Sequence, residues 1–279
     1  MFKHFLITRF NLRNFPLGEK KQDEWVQWTR DRISLFDKYC LPSLSNQSNK
    51  DFKWFIYFDT QTPDEFTDYI NKLNGFEFIK VCYSDGMDSF DKVYIEDIKN
   101  NIGDSSWAMI SRIDNDDCFD SAAIERIQES FVKKDGHLIS LASGYTLDLK
   151  KNILSHYFYP MSPFLTIIES TTKKNIKGVF CKPHSSWNEL RLFMYKEVFG
   201  LNKQSTFILD KPYWLQIVHD DNVSNSFKRG FPVLKSINLA SFGINAITKK
   251  QSVLNISGYF NYVFWKRYFK ASVVKCFKK

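Results

Sequence analysis

Cysteine is sparse and scattered in this 279-residue, 33.0 kDa chain. Its five cysteines (Cys40, Cys82, Cys118, Cys181 and Cys276) form no C-x-x-C pair. That excludes the usual zinc frameworks and a disulfide scaffold, and it leads to the expectation of a reducing, cytoplasmic compartment. Glycine and proline are few, at 11 and 8, which argues against linkers and against a many-turned β-sandwich. No run of about 18 uncharged apolar residues occurs, so no membrane-spanning helix is expected. The apolar stretch in MFKHFLITRFNLR is too short between charges for a signal peptide. Neither G-x-G-x-x-G nor G-x-x-x-x-G-K-[ST] is present, so dinucleotide and P-loop readings lose their main support. Acidic residues stop at Asp221. Residues 222–279 carry eleven Lys or Arg and no acid, whereas residues 1–221 carry 28 basic against 31 acidic residues. The formal charge of +8 therefore belongs to one end of the chain and suggests a polyanion contact there, unless it only neutralises an acidic body.

What is present is apolar and aromatic: 43% hydrophobic residues, with 27 Phe, enough for a sizeable core. Lys3–Thr8, Phe52–Phe58, Phe76–Tyr83, Trp107–Ile113 and His137–Ala142 read as strands. Glu24–Tyr39, a segment opened by Thr62 as N-cap and Pro63, Phe90–Asn100 and Ser121–Lys133 read as helices between them. This alternation predicts an α/β domain with a mostly parallel, Rossmann-like central sheet and helices on both faces. The second half is less regular. Phe158–Phe164 reads as a loop over a cleft, Leu165–Glu169 and Gly178–Lys182 as strands, and Lys211–Asp221 as a helix. Ligands of such sheets sit outside the carboxyl ends of the strands. That directs attention to Thr8 and Arg9, to Asp59, to Ser84-Asp85-Gly86, and to Asp114 through Asp117.

Asp114, Asp116 and Asp117 place three carboxylates within four residues after a buried strand. Like charges so spaced raise one another's pKa unless something positive is bound. A Mg²⁺ or Mn²⁺ ion bridging Asp-x-Asp to a diphosphate would remove that cost. The alternative is a solvated loop whose Asp117 and Asp120 cap the next helix.

Several segments together resemble the bacterial rhamnosyltransferase family: TRFN (Thr8–Asn11), the spacing Trp28, Arg32, Leu35, Phe36, YCLPSL (Tyr39–Leu44) with Gln47, Phe52–Asp59, SRIDNDD (Ser111–Asp117) and YWLQIVHDDNVS (Tyr213–Ser224). The resemblance spans roughly residues 1–245. It implies a GT-A-like glycosyltransferase domain over 1–245 that uses a dTDP- or UDP-sugar donor and a glycan or lipid-linked acceptor of bacterial surface polysaccharide. Residues 246–279 lie beyond it, as a basic, aromatic, helical extension.

The resemblance makes Asp114 and Asp116 ligands of metal and diphosphate, with Asp116 the direct ligand and Asp114 touching the ribose or a metal-bound water. His219 is expected to complete the Mn²⁺ or Mg²⁺ site, the other reading being a helix-end histidine. Arg112 shares a strand face with Asp114 and either holds the acids or touches a phosphate. Thr8, Arg9 and Asp59 would line the nucleotide pocket, Asp59 accepting the imino hydrogen of uracil or thymine. His184 is a candidate for the acceptor side. The general base is expected at Asp210, with Glu169 and Asp148 as rivals.

Two other function classes compete. One is a phosphatase with an aspartate nucleophile, weakened because Asp117 stands where that chemistry prefers Thr or Val. The other is a non-catalytic nucleotide-sugar or polyanion-binding module. Nucleic acid is not an expected partner, since no recognised motif accompanies the basic end. On a helix, Tyr262, Trp265, Phe269, Val273 and Cys276 form one stripe among basic residues. That pattern suits peripheral docking on the inner face of an anionic membrane, or a last helix packed on the domain.

Overall fold

The computed structural model describes residues 1–14, 19–160, 162–172, 176–183, 186–187, 205–219 and 230–251. His184, Asp220, Asp221 and the aromatic stripe of 262–276 lie outside these residues.

The central sheet is built on alternation. In β1 (Phe2–Arg9) Leu6 faces one side and Phe5 and Ile7 the other; in β2 (Lys53–Asp59) Trp54, Ile56 and Phe58 oppose Phe55 and Tyr57. Both faces are apolar, so both must be covered. One face packs against helices α2 (Leu41–Ser45), α3 (Thr67–Asn74) and α5 (Ala123–Glu129) through Leu44, Ile70, Leu73, Ile124 and Ile127. The other packs against α4 (Gly86–Asn101) through Phe90, Tyr94 and Ile98. Each such side chain contributes about 1.5–3 kcal/mol by leaving water. Strands β3 (Ile79–Ser84), β2, β1 and β4 (Trp107–Arg112) lie side by side and parallel. Next to β4, strand β9 (Leu165–Ser170) runs antiparallel, followed by β6 (His137–Leu141) and β10 (Ser205–Ile208), which point the same way as β4. This is the α/β, mostly parallel architecture expected of a GT-A-like domain.

A second sheet of five strands packs beside it, in the order β12 (Phe231–Pro232), β8 (Ile153–Phe158), β7 (Ser143–Asp148), β11 (Trp214–Val218) and β5 (Asp117–Phe119). The segment Lys211–Asp221, expected to be a helix, contains β11 instead. Four consecutive residues, Trp214 to Ile217, are buried, which suits a strand covered on both faces and not a helix with one apolar stripe. Gly144 in β7 lets the backbone pass the Trp214 indole, since a Cβ there would sit 2.0 Å from the ring.

Other expectations change too. Gly178–Lys182 forms turns, not a strand. Thr62 caps no helix; its hydroxyl donates to the Asp59 carbonyl oxygen at 2.6 Å, and a 3-10 turn (Asp64–Phe66) precedes α3. In the expected cleft loop, Phe164 stacks on Trp214 at 4.8 Å in the core. The first helix does not stop at Tyr39. Helix α1 (Glu19–Leu35) passes through a π-helical turn (Phe36–Cys40) into α2. The wider turn accommodates a proline that lacks an N–H and crowds the carbonyl four residues back. Past residue 245, Ile247 bridges to Asn238, Lys249 bridges to Ile153, and Thr248 and Gln251 are buried. Among the described residues no helix is long and apolar enough to cross a membrane.

Candidate active site

The acidic loop lies at the carboxyl ends of β4 and β1, where the fold predicts a ligand. The neighbouring chain segments hold it from several sides. Asn115 Nδ2 donates to the Phe10 carbonyl oxygen at 2.7 Å, and the Cys40 thiol donates to that of Asp114 at 3.7 Å. The π-helical turn and the end of β1 thus brace the loop.

Each carboxylate meets a different environment. Asp114 is half-exposed and pairs with Arg112 Nη2 at 3.2 Å. Asp116 is buried, ion-paired with Arg32 of α1, and its Oδ2 lies 3.4 Å from His219 Nε2. Burial pushes the Asp116 carboxyl up, but the hydrogen bond from His219 and the charge of Arg32 outweigh it and leave it below the usual carboxylate range. Asp117 is the first residue of β5 and fully buried. Burial, then the charges of Asp116 and Asp114, push its carboxyl upward, toward the protonated form. It caps no helix, and neither does Asp120, whose Oδ1 accepts from the Ala122 N–H in the turn before α5 at 3.1 Å and from Lys211 Nζ at 2.7 Å.

β11 runs antiparallel to β5, with Gln216 opposite Asp117, and this register brings His219, just past the strand end, onto Asp116. The residue expected at a helix end therefore arrives by a strand. Arg32 was legible as part of the W-x-x-x-R spacing but not as a site residue. Trp28 and Arg32, one helical turn apart, share a face, and the Arg32 guanidinium carbon lies 4.9 Å from a Trp28 ring centre.

Arg9 and Arg112 end adjacent parallel strands. Each guanidinium carbon lies 4.7 Å from the centre of the Phe180 ring. Phe180 itself packs edge-on against Phe90 and Tyr94. No sequence signal marked Phe180, which lies outside any regular element.

Other expected residues have other work. The Thr8 hydroxyl is buried, donating to the Ile113 carbonyl oxygen and accepting from Trp54 Nε1, both at 2.9 Å. Asp59 is fully buried and its carboxylate accepts four N–H bonds, from the Arg13 backbone and Nε, Gln61 and Gly86, at 2.8–3.2 Å. With its acceptor directions filled, Asp59 fixes Arg13 instead of meeting a base. Asp210 accepts from the Tyr213 hydroxyl at 2.7 Å and faces Arg126 of α5 at 3.7 Å. No hydrogen bond or ion pair among the described residues joins it to the acidic loop. Glu169 is buried and accepts from the Lys177 and Gly178 backbone N–H at 2.9 and 2.8 Å, and Asp148 closes a hairpin turn on the Lys151 N–H.

Oxygen and imidazole ligands suit Mn²⁺, and Asp116 with His219 supplies one of each. The same Asp116 oxygen is, however, held by Arg32, and among the described residues no three His, Cys, Asp or Glu side chains converge as a metal site. Among the described residues, then, Asp114 faces Arg112, and Asp116 shares its Oδ2 between Arg32 and His219.

No curated protein matches the chain. Solved structures similar to it include S. aureus TarS 1-349 (13% identity, TM-score 0.43, covering 77% of this chain and 60% of that one). HddC from Yersinia pseudotuberculosis is similar at 12% identity and TM-score 0.37, over 77% of this chain and 93% of that one. A third is the 4-diphosphocytidyl-2C-methyl-D-erythritol synthase from Anaerococcus prevotii DSM 20548, at 13% identity and TM-score 0.32, over 74% and 86%. The chain thus spans 60% of the length of the TarS structure. The family model described as "Putative rhamnosyl transferase" matches residues 22–230, a span holding Arg32, SRIDNDD and His219, and the chain belongs to that family.

Proposed function

We propose that the chain is a glycosyltransferase that moves a sugar, rhamnose by the family's name, from a nucleoside-diphosphate donor to a glycan or lipid-linked acceptor of bacterial surface polysaccharide. The observation that carries this reading is the gathering of Arg9, Arg32 and Arg112, from β1, α1 and β4, around the acidic loop at the strand ends. Arg32 and Arg112 are paired with Asp116 and Asp114 while Arg9 has no carboxylate in ion-pair contact among the described residues, which leaves one guanidinium over in a low-dielectric setting. Such a centre suits a diphosphate that gains charge as the sugar leaves.

In the proposed reaction the bond from the sugar's anomeric carbon to the diphosphate oxygen breaks. A bond to an acceptor oxygen forms, and the acceptor's proton passes to a base. Mn²⁺ or Mg²⁺ would add Lewis-acid stabilisation if Asp116 exchanged Arg32 for it. No step is routed through a metal, because the chain supplies its own cations. Asp210, Glu169 and Asp148 are engaged elsewhere, so His219, oriented by Asp116, is the proposed base. A panel of dTDP- and UDP-sugars incubated with the full chain tests the reading: one donor should be consumed, releasing its nucleoside diphosphate. Consumption of none, with or without Mn²⁺ and a lipid-linked or glycan acceptor, contradicts it.

A further inference from the structure

Arg9 is the one cation of the centre without a carboxylate in ion-pair contact among the described residues. Its Nη1 reaches only the Met87 Sδ, at 3.9 Å. The nearest acids acting on it through space are Asp114, already paired with Arg112, and the exposed Asp91 of α4. Arg112 is nine-tenths buried, and its Nε is a buried donor with no partner. A planar guanidinium is built to give paired hydrogen bonds to phosphate oxygens. Two of them lie 4.7 Å from the centre of one aromatic ring, which attracts each by cation–π interaction against their mutual repulsion.

The ring is placed with unusual care. The Glu169 carboxylate takes the Lys177 and Gly178 N–H groups. The Tyr94 hydroxyl donates to the Lys177 carbonyl oxygen at 3.0 Å and accepts from the Phe180 N–H at 3.3 Å. Gly178 has φ +70° and passes so close to Tyr94 that a Cβ would sit 2.2 Å from its oxygen. A buried carboxylate, a tyrosine and a glycine thus hold a short irregular segment whose product at the site is one phenyl ring beneath two arginines.

We propose that Arg9 and Arg112, gathered on Phe180, form a clamp for the diphosphate of the nucleotide donor that binds it without a divalent metal. The inference rests on the donor reading above. It adds which groups neutralise the diphosphate, and it assigns Phe180 as the positioning residue that Glu169 and Tyr94 hold in place. The clamp holds two oxyanions and does not read the base, so nucleoside affinity is independent of it.

Calorimetric titration of the full chain in excess chelator with UDP and dTDP, and with uridine and thymidine as controls, tests this. The wild type should bind one nucleoside diphosphate in chelator. Arg9→Gln should weaken that binding about 10- to 100-fold, the range of a lost charge-assisted hydrogen bond, and leave nucleoside binding unchanged. Arg9→Lys should fall between the two. Phe180→Leu, which keeps both charges but removes the ring, should also weaken the diphosphate and not the nucleoside; it carries the test if Arg9→Gln does not fold. Diphosphate binding that is unaffected by Arg9→Gln or Phe180→Leu, or that appears only on adding Mn²⁺, overturns the clamp while leaving a donor site. Failure of both nucleotides to bind the wild type under any condition overturns the donor reading and the clamp together.

Discussion

Two neighbouring aspartates, Asp116 and Asp117, have opposite electrostatic fates, and each has a measurable consequence. Asp117 has no cationic partner among the described residues, and its buried carboxyl binds its proton more tightly folded than unfolded. Its contribution to stability is therefore full below the unfolded carboxylate pKa of about 4 and declines as pH rises above it. Asp117→Asn should match the wild type near pH 4 in chemical denaturation and exceed it increasingly toward neutral pH. A parallel pH profile would mean that Asp117 is ionised. Asp116 behaves in the opposite way. Its carboxyl is held below the ordinary range, so its contribution is present at neutral pH and fades on acidification through the folded pKa. Asp116→Asn leaves Arg32 buried and unpaired, which should cost about 3 kcal/mol and abolish transfer. A double-mutant cycle with Arg32→Gln should recover part of that loss, whereas additive losses would deny the pair. Arg32 shows how much the residue types could reveal. Its spacing from Trp28 was readable, but its hold on Asp116, 84 positions away, depends on how α1 crosses the sheet.

At the scale of elements, the parallel core was readable because each strand there is a compact apolar run between helices with one-sided patterns. The second sheet was not. β7, β8 and β11 mix small, polar and aromatic residues, and β5 is three residues long. Such strands exist because of their partners, not their own pattern. The misreading of β11 had a consequence for the site, since only a strand in register with β5 explains why His219 reaches Asp116. The 176–180 segment is legible only in three dimensions, because its order comes from Glu169 and Tyr94 on other elements. Gly178→Ala tests that dependence. An L side chain at φ +70° meeting Tyr94 should cost about 1–2 kcal/mol in denaturation and weaken nucleoside diphosphate binding, while Gly136→Ala, also at positive φ but in open space, should lower stability alone. Equal binding in the two variants would separate the segment from the site.

For the molecule as a whole, charge is divided between a mildly acidic body and a basic end, and the arginine-rich centre lies in the acidic part. The basic residues from 222 onward stand apart from that centre in the sequence, and docking on an anionic bilayer is the proposal they support. Six Lys or Arg from Lys266 onward, at about 1 kcal/mol each near such a surface, should sediment the full chain with anionic vesicles at low salt, and truncation after Ser257 should release it. Indifference to vesicles at low salt would assign the segment to packing. The central claim concerns the strand ends, where the β1, α1 and β4 arginines and the acidic loop meet. A crystal structure of the full chain with UDP or dTDP, grown in chelator, tests it most directly. The account predicts the diphosphate within hydrogen-bond reach of Arg9 and Arg112 beside Asp114. A nucleotide bound elsewhere, or one at this place that contacts neither arginine, would contradict it.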